Sequence, residues 1–291
     1  MEPADPARGL PALLRAHDLR PRKSLGQNFL IDPAALARIT AAADLAEGDT
    51  VVEVGAGTGT LTRMLAAQAG RVIAVELDDR LVSLLHDEVG DLAHVTIVRG
   101  DILSLPLLGL PHLGYKLVGN LPYYITSAIL RRFLEGAPRP SLLVVTVQRE
   151  VAQRIVADPG DMSLLAVSVQ FYGRAEIVSR IPAGAFYPRP DVDSAVVRID
   201  TASGPTVDVG GVGEESFFRV VRAGFSQKRK KLRNSLSAGL GLAAAEVEAR
   251  LEAAGVAPRR RPETLSLEEW AAVVEHIVQY PQQDSNLRPT A

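Results

Sequence analysis

The chain has 291 residues, a formal net charge of −2, 47% hydrophobic residues and no cysteine. That length suits one large domain, or a catalytic domain with a smaller companion, and the apolar content is enough for a substantial core. Without cysteine there can be no disulfides, no Cys-based zinc site and no thiol nucleophile, which excludes methylation of pyrimidine carbon through a covalent cysteine adduct. The five histidines show no metal-ligand spacing, so no metal is expected. No apolar run approaches the ~18–20 residues needed to span a bilayer, and the N-terminus lacks a continuous apolar h-region. A cytoplasmic protein with no membrane partner is expected.

Residues 1–21, rich in Pro, Ala and Arg, are expected to be a poorly ordered extension. Asp32-Pro33 reads as N-cap and N1 of a helix running to about Ala43. Strands and helices then alternate: a strand at Val51–Gly55, a helix at Thr60–Ala69, a strand at Arg71–Glu76 and a helix at Asp79–Val89. Further strands follow at Val95–Val98, Lys116–Gly119 and Leu142–Val147, with a helix at Thr126–Leu134. This rhythm predicts an α/β fold with a parallel sheet covered on both faces. Two more strands, near Leu165–Tyr172 and Ser194–Ile199, are expected to add an edge hairpin. Residues 201–213 shift to Gly, Ser, Thr and Pro and read as a linker. Beyond it, Glu214–Ala223, Arg229–Ala238, Ala243–Ala254 and Ser266–Val278 read as helices. The expected layout is therefore a catalytic domain over 22–200, a linker, a small helical domain over 214–280 and a disordered tail over 281–291.

The first strand runs into Glu53-Val54-Gly55-Ala56-Gly57-Thr58-Gly59. Glycines here let the backbone approach a ligand at the start of the next helix. Thr60 stands where a dinucleotide fingerprint would have its third glycine. The loop, with Glu53 before it, better fits the amino-acid end of S-adenosylmethionine, which has no pyrophosphate; an NAD site is the rejected alternative. Glu76 ends the second strand about twenty residues on, where a carboxylate can take both ribose hydroxyls. Asp101, at the end of the third, can accept from the cofactor's adenine amino group. For each acid alone a helix N-cap is the ordinary reading; three strand ends addressing one ligand form a specific set.

Asn120-Leu121-Pro122-Tyr123 follows the strand at Lys116–Gly119. As a bare pattern it is also an ordinary turn. Its chemistry suits a difficult acceptor, an exocyclic amine whose lone pair is delocalised into a nucleobase. An amide oxygen and a backbone carbonyl accepting its two hydrogens favour a pyramidal nitrogen. Proline holds the preceding carbonyl outward, and the aromatic ring can stack on the base. A basic stretch supplies the last signal. Arg222, Lys228, Arg229, Lys230, Lys231 and Arg233 occur with no acidic residue among them, and Arg259-Arg260-Arg261 follow. Such density is either a solvated helix face or a polyanion site.

These motifs, together with Lys23-Ser24-Leu25-Gly26-Gln27-Asn28-Phe29-Leu30, Phe186-Tyr187-Pro188-Arg189-Pro190-Asp191-Val192-Asp193-Ser194 and Phe225-Ser226-Gln227-Lys228-Arg229-Lys230-Lys231-Leu232, resemble the ribosomal RNA adenine dimethyltransferases in content and order. The resemblance covers about Arg22 to Val278. It implies a Rossmann-like class I S-adenosylmethionine-dependent methyltransferase sheet with a small C-terminal all-helical domain. By the same resemblance Asn28, Leu30, Gly55, Gly57, Glu76, Asp101 and Asn120 contact the cofactor, and Asn120, Leu121, Pro122 and Tyr123 form the catalytic segment. Phe186 is expected on the second face of the target adenine, with core packing as its alternative; Tyr124 is expected in the core. The implied substrate is a pair of adjacent adenosines in the 3′-terminal hairpin loop of small-subunit rRNA, dimethylated on N6 by a monomer acting within a pre-30S particle, with the basic residues holding phosphates. The rivals are a large-subunit adenine methyltransferase of the antibiotic-resistance type, and a ribosome-assembly factor whose main role is non-catalytic.

Overall fold

The computed structural model describes residues 6–106, 114–227 and 229–278. The described residues fall into two compact units. The first holds those up to Val156 together with Tyr172–Gly204, and the second holds Ala157–Phe171 and those from Pro205 onward. The division at 204/205 lies inside the predicted linker. That 157–171 belongs to the helical unit was not legible from composition and corrects the expected 22–200 boundary.

In the first unit the elements are α1 (Pro6–Ala16), β1 (Phe29–Leu30), α2 (Pro33–Ala42), β2 (Thr50–Val54), α3 (Thr60–Ala66), β3 (Arg71–Glu76), α4 (Asp79–Val89) and β4 (Val95–Arg99). They continue with β5 (Lys116–Asn120), α5 (Thr126–Glu135), β6 (Leu142–Gln148), α6 (Arg149–Ile155) and, beyond α7 (Leu164–Tyr172), β7 (Arg174–Ile181), β8 (Phe186–Tyr187) and β9 (Ser194–Asp200). The main sheet has the order β4-β3-β2-β5-β6-β9-β7. Its first five strands run parallel, and β9 and β7 pair antiparallel at the far side. Val51, Val52, Leu117, Val118 and Leu143–Val145 are all essentially buried, as the central strands of a doubly covered sheet must be. Asp32 caps α2, its side chain accepting from the Ala34 and Ala35 N–H groups. Helices α2 and α3 share one core with residues of β2, β3, β5, β6 and β9.

Strand order reverses between β2 and β5, and crevices beyond such a reversal are where open α/β sheets bind ligands. The register pairs Val54 with Gly119, which sets Gly55 and Asn120 next to each other at the carboxyl ends. A Cβ on Gly119 would stand 2.6 Å from the Val54 carbonyl oxygen, so the strand feeding Asn120 needs glycine there.

Three expectations are corrected. The N-terminal extension contains a helix, α1, and Leu10, Leu14 and Leu19 are buried against Leu81 and Leu84 of α4; an apolar stripe outweighs the high Pro content. Residues 165–172 are helical, not a strand. A continuous apolar run does not by itself separate a buried strand from a buried helix, and Ser163 starts the helix by accepting from the Ala166 N–H through its hydroxyl. The strand that pairs with β9 is β7, whose side chains alternate in burial.

In the second unit, α8 (Gly213–Phe225), α9 (Leu232–Leu240), α10 (Ala244–Ala253) and α11 (Leu267–Val278) follow as expected. Phe171 stacks on Phe217 at 4.6 Å and meets Phe218 edge-on at 5.1 Å. Trp270 is fully buried and lies 5.6 Å from Phe225. Ser266 and Glu269 cap α11 reciprocally, a capping box. Helix α9 begins at Leu232 rather than Arg229, because Arg229 has φ +68 and Lys231 is extended. Residues 1–5, Lys228 and the 281–291 tail lie outside the described residues.

Candidate active site

At the carboxyl ends of the parallel strands lies an open cavity. Asn28, Gly55, Gly57, Glu76, Asp101 and the whole Asn120–Tyr123 segment line it. The sequence reading therefore converges on one place. A smaller neighbouring cavity shares Phe29, Gly55, Gly57 and Asn120 with it and adds Leu30, Glu53 and Thr58. Leu30 thus borders the smaller space, its side chain buried in the core beside α2.

Gly57 takes a left-handed φ of +58, and a Cβ there would press to 3.2 Å from the Phe29 ring. Its N–H donates to Glu76 Oε2 at 2.9 Å, while Glu76 Oε1 accepts from the Leu77 and Asp78 N–H groups, each at 2.9 Å. Burial pushes the Glu76 carboxyl up and these backbone donors oppose it. A carboxylate has about four acceptor positions, so three backbone bonds fix its direction and leave capacity for one further donor such as a hydroxyl. Asp101 is exposed and accepts from the Leu103 N–H at 2.9 Å. Leu77, 45% exposed, and buried Ile102 add apolar wall to the cavity. Sequence reading missed both, although each directly follows an acid that it had assigned. A buried carboxylate held by backbone donors, an exposed acid at the next strand end and an apolar side chain after each fit the nucleoside half of the expected cofactor.

Asn120 carries the most informative contact. Its Nδ2 donates to the Asn28 backbone carbonyl at 2.7 Å. That carbonyl can only accept, so turning the amide over would set oxygen against oxygen; the network fixes the assignment. The amide therefore offers its Oδ1 to the cavity. Leu121 lines the cavity and is 1% exposed. The Tyr123 hydroxyl lies 2.7 Å from Ser194 Oγ, which joins the catalytic segment to the end of the Phe186–Ser194 motif.

Phe186 is not in the cavity wall. It is 3% exposed and belongs to the core that contains Leu30. The antiparallel register of β1 and β8 sets Leu30 opposite Phe186 and Phe29 opposite Tyr187. Strand alternation sends the first pair inward, and Phe29 becomes the cavity aromatic. Tyr124 corrects the reading in the other direction: it lines the cavity and is 60% exposed. The N-terminal signature is held by Asp78, which is 1% exposed. Asp78 accepts from Gln27 Nε2 at 3.0 Å and lies 3.5 Å from Arg22. Hydrogen bonds from Arg80 are the chief reason its carboxyl is held down to about 2. Gln27 also accepts from the Arg22 N–H, so it works as a loop cap.

Glu53 is buried on the smaller cavity, and its Oε2 has no hydrogen-bond partner. Burial pushes its carboxyl up to about 8, opposed by the Thr62 hydroxyl and assisted by the charge of Glu76. A carboxyl that keeps its proton longer when folded contributes stability that is full below about pH 4.5 and declines as pH rises toward 8. Glu53→Gln should therefore flatten the fall in stability between pH 5 and 8, a difference of up to about 4 kcal/mol. Thermal melts at pH 5, 7 and 9 test this; parallel curves for the two proteins would contradict it.

In the helical unit Arg222, Arg229, Lys230 and Lys231 are exposed. Arg233 is bonded to Glu248 at 2.7 Å, and Arg260 is paired with Glu269. The fold supplies acidic partners that are distant in sequence.

Comparison with known proteins agrees with this geometry. The family model described as ribosomal RNA adenine dimethylase matches residues 19–279. The ribosomal RNA small subunit methyltransferase A of Dehalococcoides mccartyi is 50% identical over 261 residues, 89% of each chain. That of Moorella thermoacetica is 44% identical over 282 residues, 93% of this chain and 96% of its own. Among solved structures, the 23S rRNA methyltransferase ErmE aligns with a TM-score of 0.70 at 31% identity, over 87% of this chain and all of its own. A dimethyladenosine transferase from Plasmodium falciparum aligns at 0.71 and 22% identity, over 83% of this chain and 94% of its own, which shows a shared fold. A match over nearly the whole described chain, with every strand-end motif in place, makes this chain a member of the ribosomal RNA adenine dimethylase family.

Proposed function

We propose that this chain transfers methyl groups from S-adenosylmethionine to N6 of two adjacent adenosines in the 3′-terminal hairpin loop of small-subunit rRNA, as a monomer acting on a pre-30S particle in the cytoplasm. The observation that carries this reading is the Asn120 amide, pinned by the Asn28 carbonyl so that its oxygen is offered to the cavity. The relatives at 44–50% identity named for the small subunit support the choice of RNA over the large-subunit alternative.

When bound, the cofactor supplies an electrophilic sulfonium methyl group. Glu76 and Asp101 would hold its ribose and adenine, and the Gly55–Gly57 backbone would take its amino-acid end. Asn120 Oδ1 and the Leu121 carbonyl accept the two hydrogens of the target amine and localise its lone pair. Tyr123, oriented through Ser194, stacks on the base; base–aromatic stacking contributes about 1–3 kcal/mol. The proton leaves to solvent once the nitrogen has become cationic, so no strong base is needed. Unpaired loop bases can be splayed into such a cavity where helical ones cannot. Exposed Arg222, Arg229, Lys230 and Lys231 suit phosphate contacts; Lys228, in the same run, lies outside the described residues.

The test is to incubate the protein with methyl-labelled cofactor and undermethylated small subunits, then map the modified bases. Label on N6 of the two loop adenosines is expected. Label confined to large-subunit RNA would overturn the reading.

A further inference from the structure

Tyr124 is the most exposed large hydrophobic side chain among the described residues, at 60%. It follows directly on Tyr123, yet the two rings are placed oppositely. Tyr123 is partly buried with its hydroxyl against Ser194, whereas Tyr124 stands at the mouth of the same cavity. One edge of the Tyr124 ring is held, since a Cβ on Gly26 would lie 3.4 Å from its Cδ1 and Cε1. Gly26 itself has a left-handed φ of +62, so the loop leaves that space open without a side chain of its own. The rest of the ring faces solvent. A lone exposed ring is ordinary on a protein surface, but this one lines a binding cavity with one edge held, so its free face is placed to stack on a flat group there.

We propose that Tyr124 stacks on the nucleotide adjacent to the one that enters the cavity, as a second base platform beside Tyr123. This rests on the reading of the substrate as two adjacent adenosines. The chemistry explains why a ring, rather than a hydrogen-bonding side chain, occupies this position. Dimethylation removes both N6 hydrogens, so a contact that accepted them would distinguish a modified neighbour from an unmodified one. Every base presents a π-face whatever its N6 substituents. A stacking platform therefore accepts the neighbour before and after its own modification, and either adenosine can be the target while the other rests on Tyr124.

The test uses small subunits reconstituted with a ligated 3′ RNA segment that is either intact or abasic at one of the two adenosines. Methylation kinetics are measured on the remaining adenosine for the wild type, Tyr124→Ala and Tyr124→Phe. For the wild type, the abasic neighbour should raise KM by about fivefold to a hundredfold. Tyr124→Ala should raise KM on the intact subunit by a similar factor, leave kcat within about twofold, and be indifferent to the abasic change. Tyr124→Phe should match the wild type. A full abasic penalty in Tyr124→Ala, or a phenylalanine variant as impaired as the alanine one, would overturn the assignment. Wild-type protein that methylates neither adenosine of the intact subunit would instead remove the substrate reading on which it rests.

Discussion

Asn120→Ala should lower the single-turnover rate of methyl transfer by about 10²–10³-fold, the usual cost of losing one preorganised polar group at a reacting centre, while leaving RNA affinity largely unchanged. The reason lies in how the amide is held. Its nitrogen is committed to the Asn28 carbonyl at 2.7 Å, so its oxygen needs no reorganisation when the amine arrives. Asn120→Asp is the sharper variant: a carboxylate cannot donate to that carbonyl, so it loses the tether while keeping an oxygen in the site. It should fall nearly as far as alanine. Labelled-cofactor turnover and filter binding on the same preparations separate the two effects, and near-normal methylation by Asn120→Ala would end the proposed mechanism.

The second large effect is expected at Glu76. Its carboxylate accepts from the Gly57, Leu77 and Asp78 N–H groups, so it shapes the glycine loop as well as facing the cavity. Glu76→Ala should abolish measurable cofactor binding and lower the melting temperature, because buried donors left without an acceptor cost about 1–3 kcal/mol each. Glu76→Gln keeps the volume but loses one acceptor oxygen and the charge. It should weaken S-adenosylhomocysteine binding by roughly 10- to 150-fold, as the loss of one charge-assisted hydrogen bond of about 1.5–3 kcal/mol implies. Calorimetric titration tests this, and wild-type affinity in the glutamine variant would show that the ribose is held elsewhere.

The parallel strands were legible because their apolar runs are short, bounded by glycine or acid, and spaced by amphipathic helices; Arg71–Glu76 and Asp79–Val89 occur as predicted. Groups at strand ends were legible for the same reason, since the sheet alone places Gly55, Glu76, Asp101 and Asn120 around one cavity. Contacts that depend on pairing between remote segments were not. Nothing in the spacing announces that Phe29–Leu30 would meet Phe186–Tyr187, and this two-residue ladder is what moves Phe186 into the core and Phe29 to the cavity. The strand signal in Arg174–Ile181 was present as alternation. The apolar run before it, a helix in fact, took its place in the reading. Charge pairing was equally illegible: Arg233 has no acidic neighbour along the chain, yet Glu248 meets it in space.

The tether between Asn28 and Asn120 joins residues 92 positions apart, and it makes the acceptor a rotor with a single stop. Were residues 20–28 to lift away, the sheet, the glycine loop and both acids would remain. The amide could then turn over and show an incoming amine its own N–H groups. Such a protein would hold its cofactor and still fail to react, by presenting the right side chain the wrong way round. The clasp of Gln27 and Arg22 on Asp78 thus holds the segment that carries this stop, though it lies outside every strand of the sheet.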